Sequence, residues 1–116
     1  MKPHLEKLFS DPSLITRQLV KDVLKYKRLD GVQEALATVA GQLFPGGRQA
    51  VVLRDRLDRL QLPAQVIWGE EDRIIPPSHV RGLSADVATH TVAGAGHMVQ
   101  MEAPAEVNRL IRKLVG

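Results

Sequence analysis

Two short apolar runs constrain this chain more than anything else in it. Ala64-Gln65-Val66-Ile67-Trp68 is bounded by Pro63 and Gly69, and a second run extends from Val87 to Ala93. The first is β-branched, aromatic and almost continuously apolar, which suits a strand buried in a parallel sheet. The second reads as its partner. Between them, Pro76-Pro77 forces Ile75 to be extended and opens a short helix predicted over Ser78 to Leu83. Beyond the second run, Pro104 opens a last helix with Val107, Leu110, Ile111 and Leu114 as its inward stripe. The order is β-α-β-α, a parallel pair with a right-handed crossover. Two parallel strands make a very small sheet with two edges, whereas parallel sheets need covered faces and more strands than this. Such a chain either pairs with another copy or is a piece of a larger fold.

Upstream of Pro63 the pattern is helical. Pro3 to Phe9 suits a short helix. Asp11-Pro12 is a helix start signal, an N-cap followed by a proline at the first helical position. Leu14, Ile15, Leu19, Val20, Val23 and Leu24 follow at spacings of about 3.6 residues, one buried stripe. Lys21, Lys25 and Arg28 form a second, polar stripe, read as a solvated face with a docking surface for an acidic partner as the alternative. Asp30 and Gln33 have capping-box spacing. Val32, Leu36, Val39, Ala40 and Leu43 then make an apolar face, ended by Pro45-Gly46-Gly47. Arg48 to Leu60 is predicted to be helical with a break, its leucines at 53, 57 and 60 turned inward.

Several functions are excluded by what the chain lacks. It has 116 residues, enough for one domain, and no cysteine, so disulfides, thiolate metal sites and a Cys nucleophile are ruled out. His4, His79 and His90 show no metal-ligand spacing, and Gly94-x-Gly96 is not a dinucleotide fingerprint because Val99 stands where the third glycine belongs. No apolar run is long enough to cross a membrane, and Met1-Lys2-Pro3-His4 opens no signal peptide. A cytoplasmic location is therefore expected. The net charge of +3 comes from bases interleaved with acids, as in Arg54-Asp55-Arg56 and Asp58-Arg59. With few aromatics to stack on bases, this reads as a solvated surface and not a nucleic-acid patch.

Two loops carry candidate chemistry. Trp68-Gly69-Glu70-Glu71-Asp72-Arg73-Ile74-Ile75-Pro76 follows the first strand, and Gly94-Ala95-Gly96-His97-Met98 follows the second. In an open parallel α/β sheet, functional residues collect beyond the strand C-termini, so an acid and a histidine in these loops share one rim. Asp72 can accept a hydrogen bond from one ring nitrogen of His97, which fixes the tautomer and leaves the other nitrogen as a general base. Taken singly, each residue has a plainer reading: an Asp in a turn is usually a cap, and a lone His usually sits at a surface or core edge. The pairing, the loop positions and the flanking glycines favour the catalytic one.

At these residues the sequence resembles the α/β-hydrolases. The runs "VIWGEEDRIIPP" and "VAGAGHMVQMEAPAEVNRLI" look like the C-terminal end of that family. There the triad acid follows a strand in a Gly-x-x-Asp loop, here Gly69-Glu70-Glu71-Asp72, and the triad histidine sits in a Gly-His loop, here Gly96-His97. Glu102-Ala103-Pro104 matches the short E-x-P run before the closing helix. The likeness is specific over residues 62–116. The helical half, especially "DVLKYKRLDGVQEAL", resembles the cap helices of one subgroup, the dihydrolipoamide acetyltransferase components of acetoin dehydrogenase complexes. The resemblance implies a partial α/β-hydrolase fold in a single domain, with cap-like helices over residues 1–61 and β-α-β-α over 62–116. It makes Asp72 and His97 the catalytic acid and base. It implies no cofactor on this segment, a lipoyl group on a separate domain, and other subunits of the dehydrogenase complex as partners.

The departure from the family is the nucleophile. In α/β-hydrolases it sits on a G-x-S-x-G elbow, in the order Ser, Asp, His. The serines here are Ser10, Ser13, Ser78 and Ser84, and none lies in that motif. Gly82-Leu83-Ser84-Ala85-Asp86 lacks the second glycine and follows a helix instead of a strand. The chain therefore reads as the C-terminal portion of a hydrolase or acyltransferase, inactive alone, its nucleophile strand lying upstream of Met1. One rival is a non-catalytic oligomerising or binding module that keeps the fold's tail; another is a shortened or misread frame. A homo-oligomer is expected in either the leading or the first rival reading, because the sheet has free edges.

Overall fold

The computed structural model describes residues 2–57 and 59–116. It contains α1 (Lys2–Leu5), α2 (Arg17–Lys27), α3 (Val32–Leu43), α4 (Arg54–Leu57), β1 (Ala64–Gly69), β2 (Val87–Val92), α5 (Val99–Glu102) and α6 (Pro104–Val115), with short 3-10 turns between. The chain divides into two compact units. One joins Met1–Ile15 to Arg54–Gly116, and the other is Thr16–Leu53.

In the first unit β1 and β2 pair in parallel, in register from Ala64 opposite Val87 to Gly69 opposite Val92. The strands end level, so both following loops leave from the same end of the sheet. The ladder runs on past the strands: the Glu70 N–H donates to the Val92 carbonyl at 3.0 Å and the Glu71 N–H to the Ala95 carbonyl at 2.9 Å. The predicted helix between the strands is instead a 3-10 turn, Pro77–Val80. Two prolines and Gly82 leave too short a stretch for an α-helix to nucleate. β1 is half-buried along most of its length and not enclosed, because among the described residues the sheet has two strands, each with one unpaired edge.

The core of this unit comprises Leu5, Phe9, Ile15, Val80, Val87, Ala95, Val107 and Leu110. Residues from both chain ends thus pack together. Of the stripe predicted on the last helix, Val107 and Leu110 are buried while Ile111 and Leu114 are exposed; a sheet this narrow covers only part of the helix. Burying side chains such as these contributes about 1.5–3 kcal/mol each. At the N-terminus, helix is confined to Lys2–Leu5. Asp11 does act as a cap, but of a three-residue 3-10 turn, Pro12–Leu14.

In the second unit α2 begins at Arg17, capped by Thr16, whose Oγ1 accepts from the Leu19 N–H at 3.1 Å. The Asp11-Pro12 signal therefore marks the turn before the helix, and Leu14 and Ile15 lie outside it. The Asp30–Gln33 capping box does not form. Gly31, at φ 79°, is the N-cap of α3 without side-chain help, and Gln33 Nε2 donates to the Lys27 carbonyl at 3.0 Å. Leu19, Val20, Val23 and Leu24 are half-buried, and Lys21, Lys25 and Arg28 are exposed. Leu36, Val39 and Leu43, on the apolar face of α3, are exposed. Of the helix predicted over Arg48 to Leu60, only Arg54–Leu57, in the first unit, forms among the described residues. Leu53 and Leu60 are exposed, and Asp58 lies outside the described residues, as does Met1.

Candidate active site

The level strand ends determine where Asp72 and His97 go. After β1 the chain turns at once: the Asp72 N–H donates to the Gly69 carbonyl at 3.3 Å. The Asp72 carboxylate then caps its own loop, with Oδ1 accepting from the Ile74 N–H at 2.8 Å and the Ile75 N–H at 2.9 Å. Trp68 Nε1 closes the loop from the strand side by donating to the Ile75 carbonyl at 3.0 Å. With Oδ1 engaged, Oδ2 is free to face the neighbouring loop. His97 Nδ1 lies 2.9 Å from it.

The environments of the two side chains differ in a useful way. The Asp72 side chain is 3% exposed and that of His97 31%. Burial opposes ionisation of Asp72, but the hydrogen bonds from His97, Ile75 and Ile74 outweigh it and hold the carboxyl below its ordinary value. An ionised Asp72 only accepts hydrogen bonds, so Nδ1 of a neutral His97 carries the proton and Nε2 is left basic. His97 lines an open cleft of about 230 Å³ together with Ile67, Trp68, Gly69, Asp72, Val99 and Gln100. A buried acid, an oriented imidazole and an adjacent cleft together can remove a proton from a hydroxyl or thiol presented there.

Close backbone packing holds the two loops together. Gly69 is buried, and a Cβ there would overlap the carbonyl oxygens of Ala95 and Gly96. The requirement for glycine in the Gly-x-x-Asp run is thus steric. Gly94 has φ 73°, which suits glycine in the tight turn after β2.

Sequence reasoning missed the role of the N-terminal segment. Phe9, Ser10 and Asp11 lie against the His97 loop. Glu102 joins them to it, its Oε1 accepting from the Ser10 N–H at 2.6 Å and the Asp11 N–H at 3.1 Å, and its Oε2 from the Gly96 N–H at 2.5 Å. Arg73 adds a hydrogen bond to the Phe9 carbonyl at 3.0 Å. The E-x-P run pointed to Glu102, but nothing in the sequence ties residue 10 to residue 102. Among the described residues, no three His, Asp or Glu side chains cluster as a metal site, and no helix is long and apolar enough to cross a membrane.

The chain is similar to known proteins along nearly its whole length. It is 50% identical over 110 residues to the dihydrolipoyllysine-residue acetyltransferase component of the acetoin cleaving system of Pseudomonas putida, covering 94% of this chain and 29% of that protein. It is 42% identical over 116 residues to the component of the same name from Cupriavidus necator, covering 100% of this chain and 31% of that one. The chain thus spans less than a third of the length of these curated relatives. Its structure superposes on a meta-cleavage product hydrolase from Pseudomonas fluorescens IP01 with a TM-score of 0.82 at 23% identity, over 99% of this chain and 44% of that one. That likeness supports a partial α/β-hydrolase fold. The model of the alpha/beta hydrolase family matches residues 3–110, and the chain belongs to that family.

Proposed function

We propose that Asp72 and His97 are the acid and the general base of a Ser-His-Asp-type triad, in a protein that transfers acyl groups as the acetoin-cleaving acetyltransferases are named for doing. The observation that carries this reading is the buried Asp72 carboxylate 2.9 Å from Nδ1 of a partly exposed His97 at the rim of a cleft. No serine of the chain lies in a G-x-S-x-G motif, so the reading takes the nucleophile and the oxyanion donors from outside these residues. His97 Nε2 removes the proton of the nucleophile as its oxygen attacks the acyl carbonyl, and Asp72 stabilises the imidazolium that results. His97 then returns the proton to the leaving group. By similarity to the acetoin-cleaving components, the acyl carrier is a lipoyl group held on a separate domain. The partners are other subunits of the same complex, in the cytoplasm.

A second reading, a non-catalytic oligomerising or binding module, draws on the exposed Leu36, Val39 and Leu43 and on the unpaired strand edges. A chimera separates the two. The matching segment of the Pseudomonas putida acetyltransferase component is replaced by this chain, and acyl transfer is assayed with His97→Ala and Asp72→Asn versions alongside. The triad reading expects an active chimera that loses activity by a factor of about 10³–10⁴ in either variant, the scale on which triad members act. A folded chimera that is inactive, or one indifferent to His97→Ala, refutes it.

A further inference from the structure

We infer that Glu102 is the positioning residue for His97, a carboxylate that fixes the histidine loop by tying it to the N-terminal segment of the chain. The inference deepens the triad reading and rests on His97 being its base. The loop is held on both sides of His97. On one side, the Gly96 N–H donates to Glu102 Oε2 at 2.5 Å. On the other, the Met98 N–H donates to the Leu8 carbonyl at 3.1 Å. The imidazole therefore projects from the residue between two anchored peptide groups.

The anchor for Gly96 is itself built. Glu102 Oε1 lies 2.6 Å from the Ser10 N, 2.7 Å from the Ser10 Oγ and 3.1 Å from the Asp11 N. The Ser10 hydroxyl also lies 2.5 Å from the Gly94 carbonyl, so its single hydrogen is shared between the carboxylate and the turn. Hydrogen bonds to an ionised acceptor are shorter and stronger than neutral ones, and this carboxylate collects several in a partly buried place. The packing around Gly96 is close. A Cβ on Gly96 would come within 2.8 Å of the Ser10 N, 3.0 Å of Glu102 Oε2 and 3.1 Å of the Phe9 carbonyl carbon. Glu102 does not touch the cleft that His97 lines. It acts only through the loop.

The test reads the imidazole directly, so it is independent of whether the chain is active. In the ¹⁵N-labelled full chain, the long-range ¹H–¹⁵N spectrum of the His97 ring at pH 8 reports its tautomer. The wild type is expected to show a single form, protonated at Nδ1. Glu102→Gln is nearly isosteric. It keeps an oxygen for the Ser10 and Asp11 donors but turns an amide N–H₂ toward the Gly96 N–H. It is expected to speed hydrogen exchange at the Gly96 amide by at least about tenfold, the factor corresponding to about 1.4 kcal/mol, and to mix the two His97 tautomers. Glu102→Ala is expected to do so more completely, and Glu106→Gln, at an exposed pair on α6, not at all. Amide shifts of β1 and β2 monitor the fold. A Glu102→Gln chain with intact sheet shifts, one Nδ1-protonated tautomer and wild-type exchange at Gly96 overturns the inference. Failure of the chimera with wild-type Glu102 would instead count against the triad reading alone.

Discussion

Replacing Gly69 with alanine tests how tightly the two loops are packed. The added Cβ would overlap the Ala95 and Gly96 carbonyl oxygens and sit 2.8 Å from the Ala95 carbonyl carbon. All of these are backbone atoms, so no side chain can swing aside; strand end and loop must separate. Forced overpacking of this kind costs about 1–3 kcal/mol. Separation also stretches the Glu71 N–H to Ala95 carbonyl bond, worth about 0.5–1.5 kcal/mol. Alanine restricts the unfolded chain, which returns about 0.4–1 kcal/mol. The net loss is about 2 kcal/mol, a fall in Tm of about 8 °C for a chain of this size. Gly94→Ala is the control. Nothing lies within 4 Å of its Cβ, and only its positive φ of 73° is unfavourable, at about 1–2 kcal/mol before the same return. Thermal unfolding followed by circular dichroism, with urea titration as a second measure, ranks the pair. Gly69→Ala should be the more destabilised, and it alone should shift the His97 ring resonances strongly. A Gly69→Ala chain as stable as wild type, or more stable than Gly94→Ala, would refute the close-packing argument.

Other expectations follow from the same geometry. Asp72 and Glu102 are both held below their ordinary values of 3.8 and 4.5 because their hydrogen bonds outweigh the burial that opposes ionisation. Groups depressed in the folded state contribute stability that is complete above the unfolded values and lost as pH falls through the folded ones. Urea midpoints should therefore lose this contribution below pH 4.5, and Glu102→Gln should flatten the acid limb; an unchanged limb would contradict the hydrogen bonding described. The isolated chain should not hydrolyse short p-nitrophenyl esters beyond the rate of free imidazole, and a His97-dependent turnover well above that would show that it holds a nucleophile of its own. Sedimentation equilibrium at micromolar concentration should show a dimer, since both strands have an unpaired edge and exposed leucines line α3; a monomer with a sharp thermal transition would argue otherwise.

The parts of this structure written in local pattern were legible in the sequence. Both strands, their parallel pairing and the loops bearing Asp72 and His97 followed from β-branched runs, prolines and glycines. Helix starts were read less well, because short polar residues compete for the same job. Thr16 caps α2 where Asp11 was expected to, and Gly31 replaces an Asp30 cap. Burial failed where it depends on partners. Leu53 and Leu60 were expected to turn inward, yet they are exposed, since periodicity says which face is apolar and not what lies against it. The network around Glu102 was invisible for a different reason: it joins residues far apart in the chain, and no local propensity encodes such a pairing.

The hydrogen bond between Ser10 and Glu102 spans 92 positions, and that distance has a kinetic consequence. Contacts of large sequence separation require a long loop to close before any of them is rewarded, and they form late in folding. During synthesis at about 5–20 residues per second, chains fold from the N-terminal side. Leu8, Phe9 and Ser10 emerge before Gly96 and Glu102, yet they have nothing to bind until those residues follow. The acid-base pair is therefore assembled by closing a long loop, with the Ser10 segment waiting seconds for the Glu102 segment. A substitution at Ser10, far from the histidine in sequence, would be felt there as a delay in acquiring the ordered site.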